Sequence, residues 1–157
     1  MSRSLRHFLP VEVAALVGAS LFTGDPEEWL PDARRVGADR YAIEVGTGAI
    51  SRQVTVTIGD PWHVGSTWWR SCSWEATGGD GEPGGSARFL PRLDAELGLA
   101  VHEGRATLLL DGRYDPPGGR IGEAVDAVAL NRVARTTVDR LLAQIVRQLT
   151  ARSLATL

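Results

Sequence analysis

The end of the sequence predicts a long amphipathic helix directly after a corner of prolines and glycines. Neither Pro116 nor Pro117 can donate a hydrogen bond to a β-ladder, and the glycines that follow let the chain turn. Apolar residues then recur at helical spacing as far as about Arg152. One face of such a helix must be buried, so we expect a sheet to cover it. The apolar positions are Ile121, Val125, Val128, Val133 or Ala134, Val138, Leu141, Ile145 and Leu149.

The segment before this corner alternates as a half-buried strand does. From Ala106 to Tyr114, Leu108, Leu110 and Tyr114 share one face, while polar side chains occupy the other. Similar patterns, bounded by turn residues, predict further strands. With the last strand they make six or seven antiparallel strands. The other predicted strands are Ser4 to Leu9, one beginning near Asp39, one around Val54 to Ile58, Val64 to Thr77, and Ala87 to Val101, which Pro91 interrupts.

Two short helices are predicted between the first strand and the rest of the sheet. Pro10 is expected to end the first strand, and Val11 to Leu21 has the spacing of a helix. Asp25 precedes Pro26 as an N-cap residue, which predicts a second helix over Pro26 to Leu30. The chain therefore reads as one α+β domain over residues 1–157, in the order β-α-α, five or six strands, then α.

Composition excludes several classes of protein. The net charge is -2 and the 17 cationic residues, all arginine, are dispersed, which argues against a nucleic-acid partner. Cys72 is the only cysteine, so an intrachain disulfide is excluded and a reducing cytoplasm is expected. The apolar run from Val13 to Phe22 is too short to span a bilayer, and we interpret it as a folded helix rather than a secretory signal.

The three histidines give no sign of a metal site. His7, His63 and His102 form no closely spaced pair that would seat a metal ion, and a lone thiolate adds nothing to them. All three fall near predicted strand ends or turns, so we interpret them as surface or hairpin residues. The sequence predicts neither a metal nor a cofactor.

The order of elements resembles the helix-grip fold of the START-like superfamily, also called SRPBCC, which includes polyketide cyclase/dehydrase and lipid-transport families. Asp111 to Gly119, followed by Asn131 to Arg135, is similar to the closing strand and helix of uncharacterised bacterial members. Glu28 to Pro31 is similar to a weaker motif after their first helices. The resemblance implies a curved sheet wrapped around the C-terminal helix, with a cavity for an apolar small molecule between them. Rieske oxygenases, also in the superfamily, are excluded because their cluster needs two cysteines.

The tryptophan-rich strand contains the most informative side chains. Alternation puts Trp68, Arg70, Cys72 and Trp74 on one face and Trp69 on the other. If the first face lines a cavity, its indoles form apolar walls and Arg70 anchors a carboxylate or carbonyl. If it packs against the helix, Arg70 instead stacks on an indole or pairs with an acid. The sequence leaves both interpretations open.

Three hypotheses for function follow. The first is a non-enzymatic protein that binds an apolar or aromatic, lipid- or polyketide-like molecule, with the loop from Gly78 to Gly85 gating the cavity. The second is a metal-free cyclase, dehydrase or hydrolase that uses Arg70, Cys72 and Tyr114, although no catalytic signature is present. The third is a homodimer with the long helix as its seam. The predicted ligand-binding residues are Tyr41, Trp68, Arg70, Trp74, Leu97, Leu108, Leu110 and Tyr114.

Overall fold

A computed structural model describes residues 3–47, 50–75, 92–115 and 127–156 of the chain. The strands are β1 (Arg3–Val11), β2 (Arg34–Arg35), β3 (Arg40–Thr47), β4 (Ile50–Ile58), β5 (Trp62–Val64), β6 (Thr67–Trp74), β7 (Arg92–His102) and β8 (Arg105–Asp115). The helices are α1 (Ala15–Thr23), a 3-10 turn (Pro26–Glu28) and α2 (Ala127–Thr156). The expected α+β order is confirmed.

The described strands form one antiparallel sheet beneath α2. Their order is β1-β8-β7-β6-β4-β3-β2, and β5 pairs with β6 beside this path. Seven strands about 4.8 Å apart span roughly 29 Å, whereas a helix with its side chains is about 10 Å wide. Because α2 nevertheless contacts both β1 and β3, the sheet bends around it. This is the predicted helix-grip arrangement.

The inner face of the sheet and one stripe of α2 form the core. The predicted alternation of β8 is confirmed, since Leu108, Leu110 and Tyr114 are buried. In β6, Arg70, Cys72 and Trp74 are buried with Trp68 on the same face, as expected. The buried residues of α2 include most of the predicted stripe, as far as the structure describes its side chains: Ala134, Val138, Leu141, Ile145 and Leu149.

The first strand continues through Pro10, so the prediction that Pro10 ends it was wrong. Pro10 lies opposite Thr107 in the register of β1 and β8. Because β1 is an edge strand, it tolerates a residue without an N–H more readily than a central strand does. As a result α1 begins at Ala15 rather than at Val11.

The tryptophan-rich segment forms a hairpin of two strands, not the single predicted strand from Val64 to Thr77. Gly65 has a φ of 60° and makes a turn between β5 and β6. This hairpin and the two-residue β2 bring the sheet to eight strands instead of six or seven. The segments from Gly78 to Gly85 and from Pro116 to Val125 lie outside the described residues.

The second short helix is only the 3-10 turn, but its predicted cap is confirmed. The Asp25 carboxylate accepts a hydrogen bond from the backbone N–H of Glu27 at 3.0 Å. The end of α2 packs nearby, where Arg152 lies 3.5 Å from a carboxylate oxygen of Glu28 and Ser153 is buried. No helix within the described part of the chain is long and apolar enough to cross a membrane.

Candidate functional site

A small cavity lies between the inner face of the sheet and the first described turns of α2. Its volume is about 10 Å³, which is close to the space that a single water molecule needs. Three of its sheet residues share one cross-strand row, because Leu93 pairs with both Trp74 and Tyr114. The wall is almost entirely apolar. The lining residues are Leu5, Trp74, Leu93, Tyr114, Ala134, Thr137 and Val138.

Only two of the predicted ligand-binding residues line this cavity, namely Trp74 and Tyr114. Leu97, Leu108 and Leu110 share the inner face but are packed into the core with no exposed surface. The predicted set is therefore on one face, as expected from alternation, but it does not converge on one space.

The other aromatic residues of that set lie away from the cavity. Trp68 is at the opposite end of β6, and its ring stacks on His63 with centroids 4.5 Å apart. Tyr41 is buried on β3, and the guanidinium of Arg35 lies 5.1 Å from its ring centroid. Burial raises the pKa of Tyr41, and the positive charge of Arg35 opposes part of that rise. Both rings therefore have partners within the protein.

Arg70 acts as a staple between α1 and the sheet. Its Nε donates to the carbonyl oxygen of Gly59 at 2.8 Å, and its Nη1 donates to those of Phe22 at 3.0 Å and Gly24 at 2.7 Å. The guanidinium also lies 5.8 Å from the centroid of the Trp29 ring. Burial lowers the pKa of Arg70. These contacts favour the second interpretation of this face, in which Arg70 packs on an indole.

Cys72 is buried on the same face of β6 and is not a competent nucleophile. Burial raises the pKa of its thiol to about 12. A thiol attacks as the thiolate, and thiolates that react in proteins have a lowered pKa. Of the three groups named for an enzyme, Arg70 is engaged by carbonyls and Cys72 stays protonated near neutral pH. Tyr114 is the one at the cavity.

His7 is largely buried, so the prediction that it is a surface or hairpin residue was wrong. It lies on the inner face of β1, and 16% of its side chain is exposed. Its Nδ1 contacts Oδ1 of Asp139 on α2, and its Nε2 is buried without a hydrogen-bond partner in the described part of the chain. The alternation of Leu5, Leu9 and Val11 in β1 was the signal that would have placed position 7 inward.

Among the residues that the structure describes, the indole N–H of Trp29 is a second buried polar group without a hydrogen-bond partner. Trp29 is fully buried, and its ring centroid lies 5.0 Å from that of Phe22. Within the described ranges, no three side chains of His, Cys, Asp or Glu are grouped so that they would hold a metal ion.

Comparison with solved structures gives matches over nearly the whole chain. A START superfamily protein from Mycobacterium smegmatis has a TM-score of 0.54 at 9% identity, covering 98% of this chain and 99% of that one. The Zhui aromatase/cyclase from a Streptomyces strain has a TM-score of 0.52 at 10% identity, covering 98% and 94%. Ara h 8.0201 has a TM-score of 0.54 at 13% identity, covering 99% of each chain.

No protein-family model matches the sequence, and no curated protein matches it. At such low identities the structural similarity establishes the fold. The chain has the START-like, or SRPBCC, helix-grip fold. The resemblance seen in the order of elements is thereby confirmed.

Proposed function

We propose that this protein binds an apolar, lipid- or polyketide-like small molecule between the sheet and α2. The observation that carries the proposal is the apolar cavity under α2, whose wall includes Trp74 and Tyr114. Both aromatic side chains offer large flat surfaces, and pockets for small molecules are mostly lined in this way. The fold shared with a START superfamily protein and with an aromatase/cyclase supports this site.

Binding at this site requires the cavity to expand. At about 10 Å³ it is far smaller than ordinary ligand pockets, which enclose roughly 300 to 1,000 Å³. Each buried methylene contributes about 0.8 kcal/mol, so an eight-carbon chain gains roughly 6 kcal/mol before the cost of opening. We expect affinities weaker than about 10 µM for such short probes, on the scale where 8.2 kcal/mol corresponds to about 1 µM.

A pair of substitutions on α2 tests the location. Ala134→Leu fills the cavity, whereas Arg135→Leu adds the same side chain at an exposed position one residue away. We expect 1-octanol and 1-naphthol to raise the Tm of the native protein and of Arg135→Leu, but not of Ala134→Leu. Since ligands stabilise only the state that binds them, the shift reports occupancy.

A third variant covers the case in which Ala134→Leu does not fold. Leu93→Ala enlarges the cavity and should increase the Tm shift caused by either probe, although it lowers the Tm of the free protein. Native mass spectrometry provides the second readout, because it detects a retained ligand directly. The proposal is wrong if neither probe shifts the Tm of the native protein or of Leu93→Ala and no ligand is retained.

The two alternatives stay predictions with less support. A cyclase, dehydrase or hydrolase would depend on Tyr114 or on groups other than Arg70 and Cys72, and Tyr114→Phe with an unchanged turnover would remove that residue from the mechanism. A homodimer with α2 as its seam predicts a dimeric mass by light scattering. A mass that stays monomeric at all concentrations would contradict it.

A further inference from the structure

The inner face of β1 contains a buried ring nitrogen, Nε2 of His7. Nε2 is buried and has no hydrogen-bond partner among the described residues. Buried polar atoms in proteins are nearly always hydrogen-bonded, and leaving one unpaired is unfavourable. An apolar side chain at this inward position would avoid that penalty. The histidine therefore calls for a physical explanation beyond packing.

Asp139 determines which nitrogen of His7 is left over. Because Nδ1 faces a carboxylate oxygen, it carries a proton whether the ring is neutral or charged. In the neutral ring Nε2 then has a free lone pair and acts as an acceptor. The pair joins β1 to α2, so the ring orientation is fixed from two elements. In the neutral ring Nε2 is thus a buried acceptor of fixed orientation.

His7 and Asp139 are each close along the chain to a residue that lines the cavity. His7 is two residues from Leu5 on the same face of β1, a separation of about 6 to 7 Å along a strand. Asp139 directly follows Val138 in α2. Leu5 and Val138 both line the cavity. An expansion of the cavity along β1 would therefore bring a ligand to Nε2.

We propose that His7 is the polar anchor of the ligand site and accepts a hydrogen bond at Nε2 from a hydroxyl group on an otherwise apolar ligand. This inference rests on the proposed function and narrows it to one ligand class, apolar alcohols or phenols. Asp139 is a positioning residue, since it holds the ring with Nδ1 protonated. The site should bind an alcohol more tightly than an isomeric ether, because the ether has no O–H to donate to Nε2.

A matched pair of ligands tests the donor requirement. 1-Octanol and 1-methoxyheptane are isomers, but only the alcohol has an O–H. Equilibrium dialysis should show that His7→Phe weakens binding of 1-octanol about tenfold, or about 1.4 kcal/mol, and leaves binding of the ether unchanged. The control His102→Phe, at an exposed histidine, should change neither.

Further variants separate an anchor from a structural contact. Asp139→Ala should weaken the binding of 1-octanol but not that of the ether. Asp139→Asn should bind 1-octanol as the native protein does, because its amide oxygen still accepts a hydrogen bond from Nδ1. His7→Phe should keep or raise the Tm, since it removes an unpaired polar atom. In the native protein, nitrogen NMR should show Nδ1 protonated in the free state and a shift of Nε2 on adding 1-octanol but not the ether.

The outcomes distinguish this inference from the proposed function. If neither isomer binds, the proposed function fails and the anchor fails with it. If both bind and His7→Phe weakens them equally or not at all, the site stands and the anchor is wrong. A large loss of Tm in His7→Phe, with no shift of Nε2 in the native protein, would assign the histidine a structural role only.

Discussion

Replacing Arg70 by methionine should strongly destabilise the folded protein without changing its affinity for an apolar ligand. The substitution removes three hydrogen bonds to carbonyl oxygens, those of Gly59, Phe22 and Gly24. Hydrogen bonds from a charged group contribute about 1.5 to 3 kcal/mol each, or roughly 4.5 to 9 kcal/mol for the three together. Burying a guanidinium costs several kcal/mol in return. We therefore expect a net loss of about 3 kcal/mol, a large share of a typical stability of about 5 to 15 kcal/mol.

Urea unfolding followed by tryptophan fluorescence measures this loss, provided that the m-value stays constant. Arg70→Lys should lose nearly as much, because a single ammonium does not reproduce the fork that reaches Gly59 and the end of α1 at once. Arg113→Met is the matched control at an exposed position of β8 and should stay within about 0.5 kcal/mol. Amide exchange near Phe22 and Gly24 should accelerate only in the Arg70 variants.

A loss of less than about 0.5 kcal/mol in the free energy of unfolding of Arg70→Met would contradict the stabilising role of Arg70 between α1 and the sheet, since surface substitutions already vary by that much. The carbonyl contacts would then contribute no net stability. In that case Arg70 would again be available as a ligand anchor, and a selective loss of carboxylate binding in Arg70→Met would establish it. If both stability and ligand binding were unchanged, Arg70 would be neither a stabilising contact nor a ligand anchor.

Three further predictions concern the framework around the site. Burial raises the pKa of the Cys72 thiol from 9.0 to about 12, so the unfolded chain releases this proton at a lower pH than the folded chain does. The free energy of unfolding should therefore fall above about pH 9 by up to roughly 1.4 kcal/mol per pH unit. Urea titrations of Cys72→Ala should show a smaller fall. Gly112→Ala would place a Cβ 2.6 Å from the Asp94 carbonyl oxygen, and we expect a loss of at least about 2 kcal/mol by thermal unfolding; an unchanged Tm would contradict this contact. Asp25→Ala removes a cap and should cost about 1 kcal/mol in the same assay, whereas Asp25→Asn should retain most of it.

Hydrophobic periodicity was enough to predict the strands and helices that have one buried face and one face exposed to solvent. Leu108, Leu110 and Tyr114 illustrate this in β8, as does the stripe of α2. Turn chemistry was less informative, because Gly65 lies in a run rich in serine and tryptophan that looks like one strand. The prediction that Pro10 ends the first strand was wrong because the sequence does not distinguish an edge strand from a central one.

The candidate site was harder to predict for a different physical reason. The partners of Arg70 are backbone carbonyls, which every residue has, so no side-chain pattern marks them. The partner of His7 is Asp139 on α2, far away in the sequence, and only the folded chain brings them together. Alternation in β1 indicates an inward position 7, but it does not supply the carboxylate.

His7 and Arg70 are two polar side chains on the described inner face of the sheet, and their hydrogen-bonding groups are used differently. In the register, His7 pairs with Leu110, Leu110 with Leu97, and Leu97 with Arg70, so both lie on the same cross-strand row. Arg70 has its Nε and Nη1 engaged by three carbonyls, and a ligand would have to break those bonds to use either nitrogen. His7 has one nitrogen in contact with Asp139 and the other without a partner in the ranges that the structure describes. Nε2 of His7 would therefore gain a hydrogen bond when a ligand arrives, whereas Nε and Nη1 of Arg70 would first have to give one up.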